Sequence, residues 1–395
     1  SRARALMVQG TSSGAGKSLI TAALCRIFRD DGIDVAPYKA QNMSLNSGVT
    51  RDGLEIGRAQ MVQAAACGLE PDVRMNPVLL KPESDTGAQV VLIGKPWARR
   101  DAREYYADHS TMVAAARQAY DSLASEHGLI VLEGAGSPAE INLKSHDFVN
   151  MAAARHASSP GFPTRVVLVG DIDRGGVFAS FIGHTATFLP DELAMLSGFI
   201  VNKFRGDPSL LGDAFAMTRR YTGYPVLGCV PMIPGLSIPD EDEPIIKTIR
   251  NDGPSLRIAV PRLPHVSNFT DFDAFAAEPD VEIVPVSSGA ELEALLTSDR
   301  PGAAHEADVT GRQMPGTGSE AGRLAAVIIP GSKSTVADLD WLRATGLADA
   351  VTAYARRRGT VIGICGGYQM LGLSLLDPHG IESDRHEAPG LGLLP

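Results

Sequence analysis

Residues 5–18, ALMVQGTSSGAGKS, run from a short apolar strand into a glycine-rich turn that closes on Lys17 and Ser18, and the helical pattern SLITAALCRIFRDDG follows at once. Few sequence features restrict a fold more. Such a turn works only between the end of a buried strand and the start of a helix, because its main-chain N–H groups must wrap phosphate oxygens while the helix aims its positive end at them. In this reading Gly10, Thr11, Gly14, Ala15 and Gly16 form the cradle, Lys17 reaches the β- and γ-phosphates, and the Ser18 hydroxyl holds Mg²⁺. Five residues, not four, separate Gly10 from Gly16, with Thr11 where the strict pattern has its first glycine. A chance Gly/Ser loop explains less, since strand and helix both fall where phosphate binding needs them. The expectation is an ATP- and Mg²⁺-binding protein.

At 395 residues the chain exceeds one core, and 44% hydrophobic with 21% charged residues is the composition of an ordinary globular protein. No apolar run approaches the roughly 20 residues of a membrane span. The start, SRARALMVQG, enters a strand without a cleavable signal pattern, so no membrane partner is expected and the cytoplasm is the expected compartment. A net charge of −10 argues against a nucleic-acid surface. Cys25, Cys67, Cys229 and Cys365 are far apart and form no C-x-x-C pair, which makes a zinc site or disulfide framework a poor reading.

Apolar β-rich runs recur as ALMVQG, GIDVAPY, QVVLIG, LIVLEGAG, TRVVLVGDID, LSGFIVNKF and YPVLGCVPM, most of them separated by helical patterns. Buried strands alternating with helices predict an α/β fold, a doubly wound parallel sheet with its ligands at the carboxyl ends of the strands. That domain is expected over 1–235, and a Pro/Asp/Glu-rich linker over 236–255. A second α/β domain is expected over 256–395, from the strands LRIAVPRL, VEIVPV, LAAVIIPGS and GTVIGICGG. Between Leu296 and Arg323 a Gly/Ala/Glu-rich segment without apolar period reads as an exposed insertion.

Within the first domain, Glu133 ends a fully apolar strand and precedes Gly-Ala-Gly, so its carboxylate is placed to join Ser18 at Mg²⁺. Lys39, in YKAQNMSLNSG, is a candidate to neutralise charge on a transferring phosphate. Gln41, Asn42, Ser44 and Asn46 form a dense polar cluster suited to a second substrate, with a solvated loop as the competing account. Asp147, Asp171 and Asp173 sit at strand ends or helix starts, where Asp147 is a substrate-binding candidate and helix capping explains any of the three as well. Asn202 ends a strand at the sheet edge, where its amide suits a purine or else simply forms a turn.

In the second domain, Gly363 to Gly367, GICGG, reads as a nucleophile elbow followed by a helix, YQMLGLSLL. Glycines flank Cys365 because the backbone of such a nucleophile is strained and crowded, and the helix start favours the thiolate.

The turn at Gly10 to Ser18 resembles that of dethiobiotin synthetase and its relatives. The blocks PYKAQNMSLNSGV, EIGRAQMVQAAA, MNPVLLKP, LEGAGSPAEINL, GDIDRGGVFAS, VNKFRGD, VPRLPHVSNFTDFD, IPGSKST and GICGGYQMLG resemble the cobyric acid synthase family, glutamine-dependent amidotransferases of cobalamin synthesis. The likeness covers essentially the whole chain. It implies a class I glutamine amidotransferase second domain, in which Cys365 attacks glutamine while the main-chain N–H groups of Gly331 and Gly366 stabilise the oxyanion. It also implies ATP-driven activation and amidation of the b, d, e and g carboxylates of adenosylcobyrinic a,c-diamide, through acyl phosphates stabilised by Lys17, Lys39, Ser18 and Glu133 with Mg²⁺.

The resemblance therefore names glutamine and a corrinoid as partners, and leaves a homo-oligomer open. Cobyrinic acid a,c-diamide synthase and a partitioning-type ATPase switch are the alternatives. The block from Pro261 to Asp273 is a candidate domain seam. A glutaminase cysteine needs a histidine base, which this family carries on a later strand. His379 and His386 follow the elbow directly and His265 lies in a block that looks structural or interdomain, so the expectation is a C-terminally shortened domain without glutaminase activity.

Overall fold

The chain divides into two compact units, Ser1–Asp242 and Glu243–Pro395. A computed structural model of the protein describes residues 3–82, 87–101, 109–233, 256–298, 324–378, 383 and 385–395. The linker expected over 236–255 lies outside the described residues. So does most of the Gly/Ala/Glu-rich segment, except that Leu296 to Ser298 end a helix, Gly289–Ser298.

In chain order the first unit forms β1 (Arg4–Gly10), β2 (Val35–Tyr38), β3 (Gln41–Met43), β4 (Ser47–Val49), β5 (Glu55–Gly57) and β6 (Val78–Pro82). It continues with β7 (Gly87–Leu92), β8 (Lys95–Asp101), β9 (Leu129–Glu133), β10 (Arg165–Asp171), β11 (Leu196–Phe204) and β12 (Val226–Pro231). Its helices include α1 (Lys17–Asp30), α2 (Arg58–Cys67), α3 (His109–Glu126), α4 (Met151–Ala157) and α5 (Val177–Thr187).

Six of the strands make one sheet in the order β12-β11-β10-β1-β9-β2, with every neighbouring pair parallel. The reason lies in the residues of β1. Met7 packs with Ile130, Leu132, Leu168 and Tyr120 on one face, while its neighbour Val8 packs with Ile20, Cys25, Val131 and Val169 on the other. A strand apolar on both faces is stable only under helices on both faces, which is the doubly wound arrangement. It brings the carboxyl ends of β1, β9 and β10 side by side, with Val8 in register with Glu133.

One expected strand of this sheet is elsewhere. QVVLIG forms most of β7, which pairs antiparallel with β6 and β8 in a separate sheet of order β3-β6-β7-β8. The cause is the turn that ends it: Ile93 (φ 48°) and Gly94 (φ 71°) both lie in the left-handed region, and Leu92 pairs with Lys95 across them. Two positive φ values in a two-residue loop make a hairpin, so the chain turns straight back and no crossover follows.

The second unit holds β13 (Leu256–Pro261), β14 (Val281–Val286), β15 (Leu324–Ile329) and β16 (Thr360–Gly363), parallel in the order β14-β13-β15-β16. Ile258, Val260, Ile283, Val327, Ile329, Leu339 and Val351 form its core. The helix expected over YQMLGLSLL is much shorter. It spans Gly366–Met370, and the chain then forms β17 (Ser374–Leu376), antiparallel to β18 (Glu387–Pro389). The last helical carbonyls are met from outside: the Leu391 N–H donates to Met370 O (2.8 Å) and the Leu393 N–H to Leu371 O (2.8 Å). A distant segment thus satisfies groups that a further helical turn would otherwise have used.

The rings of Phe181 on α5 and Phe199 on β11 stack at 4.5 Å, both fully buried. Phe181→Ala is expected to cost about 3–5 kcal/mol, read from urea unfolding followed by circular dichroism.

Candidate active site

The turn after β1 is built as a cradle. Gly14 (φ 71°) and Gly16 (φ 94°) both take the left-handed conformation, and α1 begins at Lys17 directly behind them. At Gly16 a side chain would overlap the Asn202 amide nitrogen, so glycine is required for space as well as for conformation. Lys17 lies back along the turn, its ammonium donating to Ser12 O (3.0 Å) and Gly136 O (3.1 Å). The Thr11 N–H is already spent on Val169 O (2.9 Å), which fastens the start of the turn to β10.

Beside the turn stands Glu133, at the end of β9 and 1% exposed. Its Oε1 accepts from the Ser18 hydroxyl (2.7 Å) and the Lys39 ammonium (2.9 Å), and its Oε2 from the Gln63 amide (2.5 Å). Gln63 also donates to Ser18 O (3.4 Å). Burial alone would push the Glu133 carboxyl up, but the Lys39 charge and the hydrogen bonds from Lys39, Gln63 and Ser18 win and hold it below the usual carboxylate range. Lys39 and Glu133 are thus a buried ion pair, with side chains 6% and 0% exposed.

The segment after Lys39 is not a solvated loop. Gln41–Met43 pairs with β6, and Asn42, Ser44 and Asn46 are all buried, with Gln41 half-buried. Asn42 donates to Gln60 on α2 (3.2 Å), and the Ser44 hydroxyl accepts from the Asn46 N–H (3.0 Å). Asp147 accepts from the N–H groups of Val149, Asn150 and Ala152, at 3.1, 2.8 and 3.0 Å, so its carboxylate shapes the entry to α4.

Asn202 reaches the turn as well, donating to Ala15 O (2.9 Å). Its neighbour Lys203, at φ 59°, turns its ammonium onto Gly14 O (2.7 Å) and onto Asp171 at the end of β10 (3.0 Å). Asp171 in turn accepts from the Asp173 N–H (2.9 Å). Two consecutive side chains from β11 therefore hold two carbonyls of the turn, and the Ala15 and Gly16 N–H groups, which share those trans peptides, point opposite to them.

In the second unit Cys365 takes φ 49° and ψ −114°, a conformation that non-glycine residues rarely adopt, and its thiol is exposed. The crowding around it explains the glycines. A side chain at Gly363 would come within 2.5 Å of Tyr368 Cα, and one at Gly366 within 3.1 Å of Ser332 N. A Cβ at Gly331 would sit 3.8 Å from Cys365 Cβ, which puts the loop after β15 beside the thiol. Of the histidines, His265 is engaged with Asp338 (2.8 Å), His386 is exposed with its Nδ1 3.4 Å from Asp377 O, and His379 lies outside the described residues.

Residues 6–245 match the family model described as a CobQ/CobB/MinD/ParA nucleotide binding domain, and residues 257–395 match a CobB/CobQ-like glutamine amidotransferase domain. A cobyric acid synthase of Nitratidesulfovibrio vulgaris is 50% identical over 99% of this chain and 68% of its own length. Those of Syntrophobacter fumaroxidans and Mycolicibacterium vanbaalenii are each 47% identical, over 100% and 98% of this chain and 71% and 73% of their own lengths. The chain belongs to the cobyric acid synthase family.

Sequence reasoning missed Gln63 and Lys203 in this chain. Gln60 and Gln63, three apart on α2 and both fully buried, put two amides on one helix face turned inward, a pattern visible in RAQMVQAAA. Lys203 follows Asn202 at once but carries no distinguishing signal, because its role depends on a positive φ.

Lys39→Met would leave Glu133 buried without a counter-ion and push its carboxyl up instead of down. At about pH 8 the variant is expected to lose roughly 3–5 kcal/mol. That loss should shrink as the pH falls toward about 5, because a protonated Glu133 needs no cation. Urea unfolding of both proteins across this range checks it, and a loss independent of pH would count against the ion pair.

Proposed function

We propose that the first unit uses ATP and Mg²⁺ to activate corrinoid carboxylates, those at b, d, e and g of adenosylcobyrinic a,c-diamide, which ammonia then converts to amides, and that the second unit is a Cys365 glutaminase domain built to release that ammonia from glutamine, its histidine base being none of those assigned in this chain. Domain assignment follows the same lines: an ATP-dependent amidoligase domain, then a glutamine amidotransferase domain. The observation that carries the reading is the meeting of Lys17, Ser18, Lys39 and Glu133 at one end of one sheet.

A carboxylate does not condense with ammonia because its oxygen leaves poorly. Transfer of the γ-phosphoryl group to that oxygen, with ADP leaving, makes phosphate the leaving group; ammonia then attacks the acyl carbon, loses a proton and expels phosphate. Lys17 and the N–H groups of Gly14 to Gly16 would carry the triphosphate charge, and Lys39 would follow the phosphoryl group in transfer.

The residues present fit Mg²⁺. Ser18 and Glu133 offer two hard oxygens 2.7 Å apart, and among the described residues no group of three or more His, Cys, Asp or Glu side chains competes for a metal. An ion that keeps several waters and takes the rest of its ligands from phosphate suits such a sparse site. When bound, Mg²⁺ would neutralise charge on the β- and γ-phosphates.

Gln41, the half-buried member of its cluster, would face the corrinoid, with buried Asn42, Ser44 and Asn46 fixing the backbone behind it and Asp147 the entry to α4, and Asn202 would border the base. In the second unit the Cys365 Sγ would attack the glutamine amide carbon, with the Gly331 and Gly366 N–H groups stabilising the oxygen as it gains charge.

With ATP, Mg²⁺, the a,c-diamide and ammonium, product mass should show carboxylates replaced by amides. Lys17→Ala should lower that rate by a factor of about 10³ or more, whereas Cys365→Ala should leave ammonium-driven amidation running. Undiminished amidation in Lys17→Ala would end the proposal.

A further inference from the structure

We propose that His265 is a positioning residue for the glutaminase half: held on Asp338, it sets the direction of the Gly331–Ser332 segment that lies beside Cys365. The inference rests on the glutaminase reading above and adds to it a residue outside the nucleophile and its N–H donors.

The observations form a closed network. Asp338, fully buried in the first turn of the helix Thr335–Ala344, uses both carboxylate oxygens. One accepts from the His265 ring at Nδ1 (2.8 Å) and from the His265 main-chain N–H (3.2 Å). The other accepts from the Ser332 hydroxyl (2.6 Å), which itself accepts from the Ser334 N–H (3.0 Å). Main-chain bonds then lock the two loops together. The Lys333 N–H donates to His265 O (2.9 Å), the Ser267 N–H donates to Gly331 O (2.9 Å), and Val266 and Ser332 form an antiparallel bridge.

Because the Gly331 carbonyl is committed to Ser267, the peptide joining Gly331 to Ser332 has its direction fixed, with the Ser332 N–H opposite that carbonyl; the Gly331 N–H of the proposed donor pair lies one peptide earlier and is held through the same pinned residue. On that side Ser332 N stands within 3.1 Å of where a side chain at Gly366 would begin. A buried carboxylate is stable only if its oxygens are met, and the His265 ring is the group placed on Asp338 at 2.8 Å, a hydrogen bond that also raises the His265 pKa. If His265 is removed, Asp338 loses that partner and its hold on Ser332 weakens. Donors displaced by even a fraction of an ångström no longer meet the developing oxyanion.

The test is alkylation of Cys365 by two reagents, followed by intact mass and peptide mapping. A chloromethyl ketone analogue of glutamine forms the S–C bond as chloride leaves, and its ketone oxygen must sit among the N–H donors; iodoacetamide alkylates the same thiol without that requirement. In the unaltered protein the analogue should select Cys365 over Cys229. His265→Ala should slow the analogue by about tenfold to a hundredfold, with the iodoacetamide rate within about twofold. His265→Asn, which restores an N–H near the Nδ1 position, should recover most of the lost rate. Ser332→Ala, which keeps the His265–Asp338 pair, should slow the analogue alone and carries the test if His265→Ala fails to fold. Equal analogue rates in the unaltered protein, His265→Ala and Ser332→Ala would overturn the inference and leave the glutaminase reading intact. An analogue that shows no preference for Cys365 in the unaltered protein would overturn both.

Discussion

The Glu133 carboxylate is the point on which the first unit depends. It ends β9, and through its two oxygens it holds the first turn of α1 by Ser18, the segment after β2 by Lys39, and the inner face of α2 by Gln63. These segments are far apart in sequence. A charged group so deeply buried is costly unless every oxygen is met, so the arrangement is close to all or none: with its partners in place it orders the sheet edge, and with one missing it becomes a liability.

The second unit solves the same problem in a similar way. Asp338 has no water-exposed surface, and its two oxygens join the loop after β13 to the loop after β15. In both units, then, a parallel sheet supplies a rigid floor, and one sequestered carboxylate draws together the irregular segments at its carboxyl rim. Parallel sheets leave all their strand ends on one side, so the loops that matter start as neighbours; the carboxylate supplies the register that the strands alone do not.

Much of this was legible in the chain itself. The strand–turn–helix at Ala5 to Ser18 fixed the position of β1 and α1, and an acidic residue ending an apolar strand identified Glu133, because both follow from local pattern. The partition into parallel strands was readable for the same reason, since runs apolar on both faces need cover on both. The misplaced QVVLIG segment was not, because its partner choice turns on a left-handed Ile93, a residue type that gives no warning of such a conformation. Likewise the early end of the helix after Cys365 depends on carbonyls met by Leu391 and Leu393, a non-local effect. His265 was visible as a histidine but read as structural, since nothing nearby in sequence announces Asp338.

The clash between a Gly16 side chain and the Asn202 amide has a bearing on how such proteins can change over time. Neither position is free while the other stays as it is: a larger residue at 16 first needs a smaller one at 202, and giving up Asn202 also gives up the bond to Ala15 O. The route between alternative pairs therefore passes through an intermediate with a slackened phosphate turn, and that detour makes the two sites inherit one another's history.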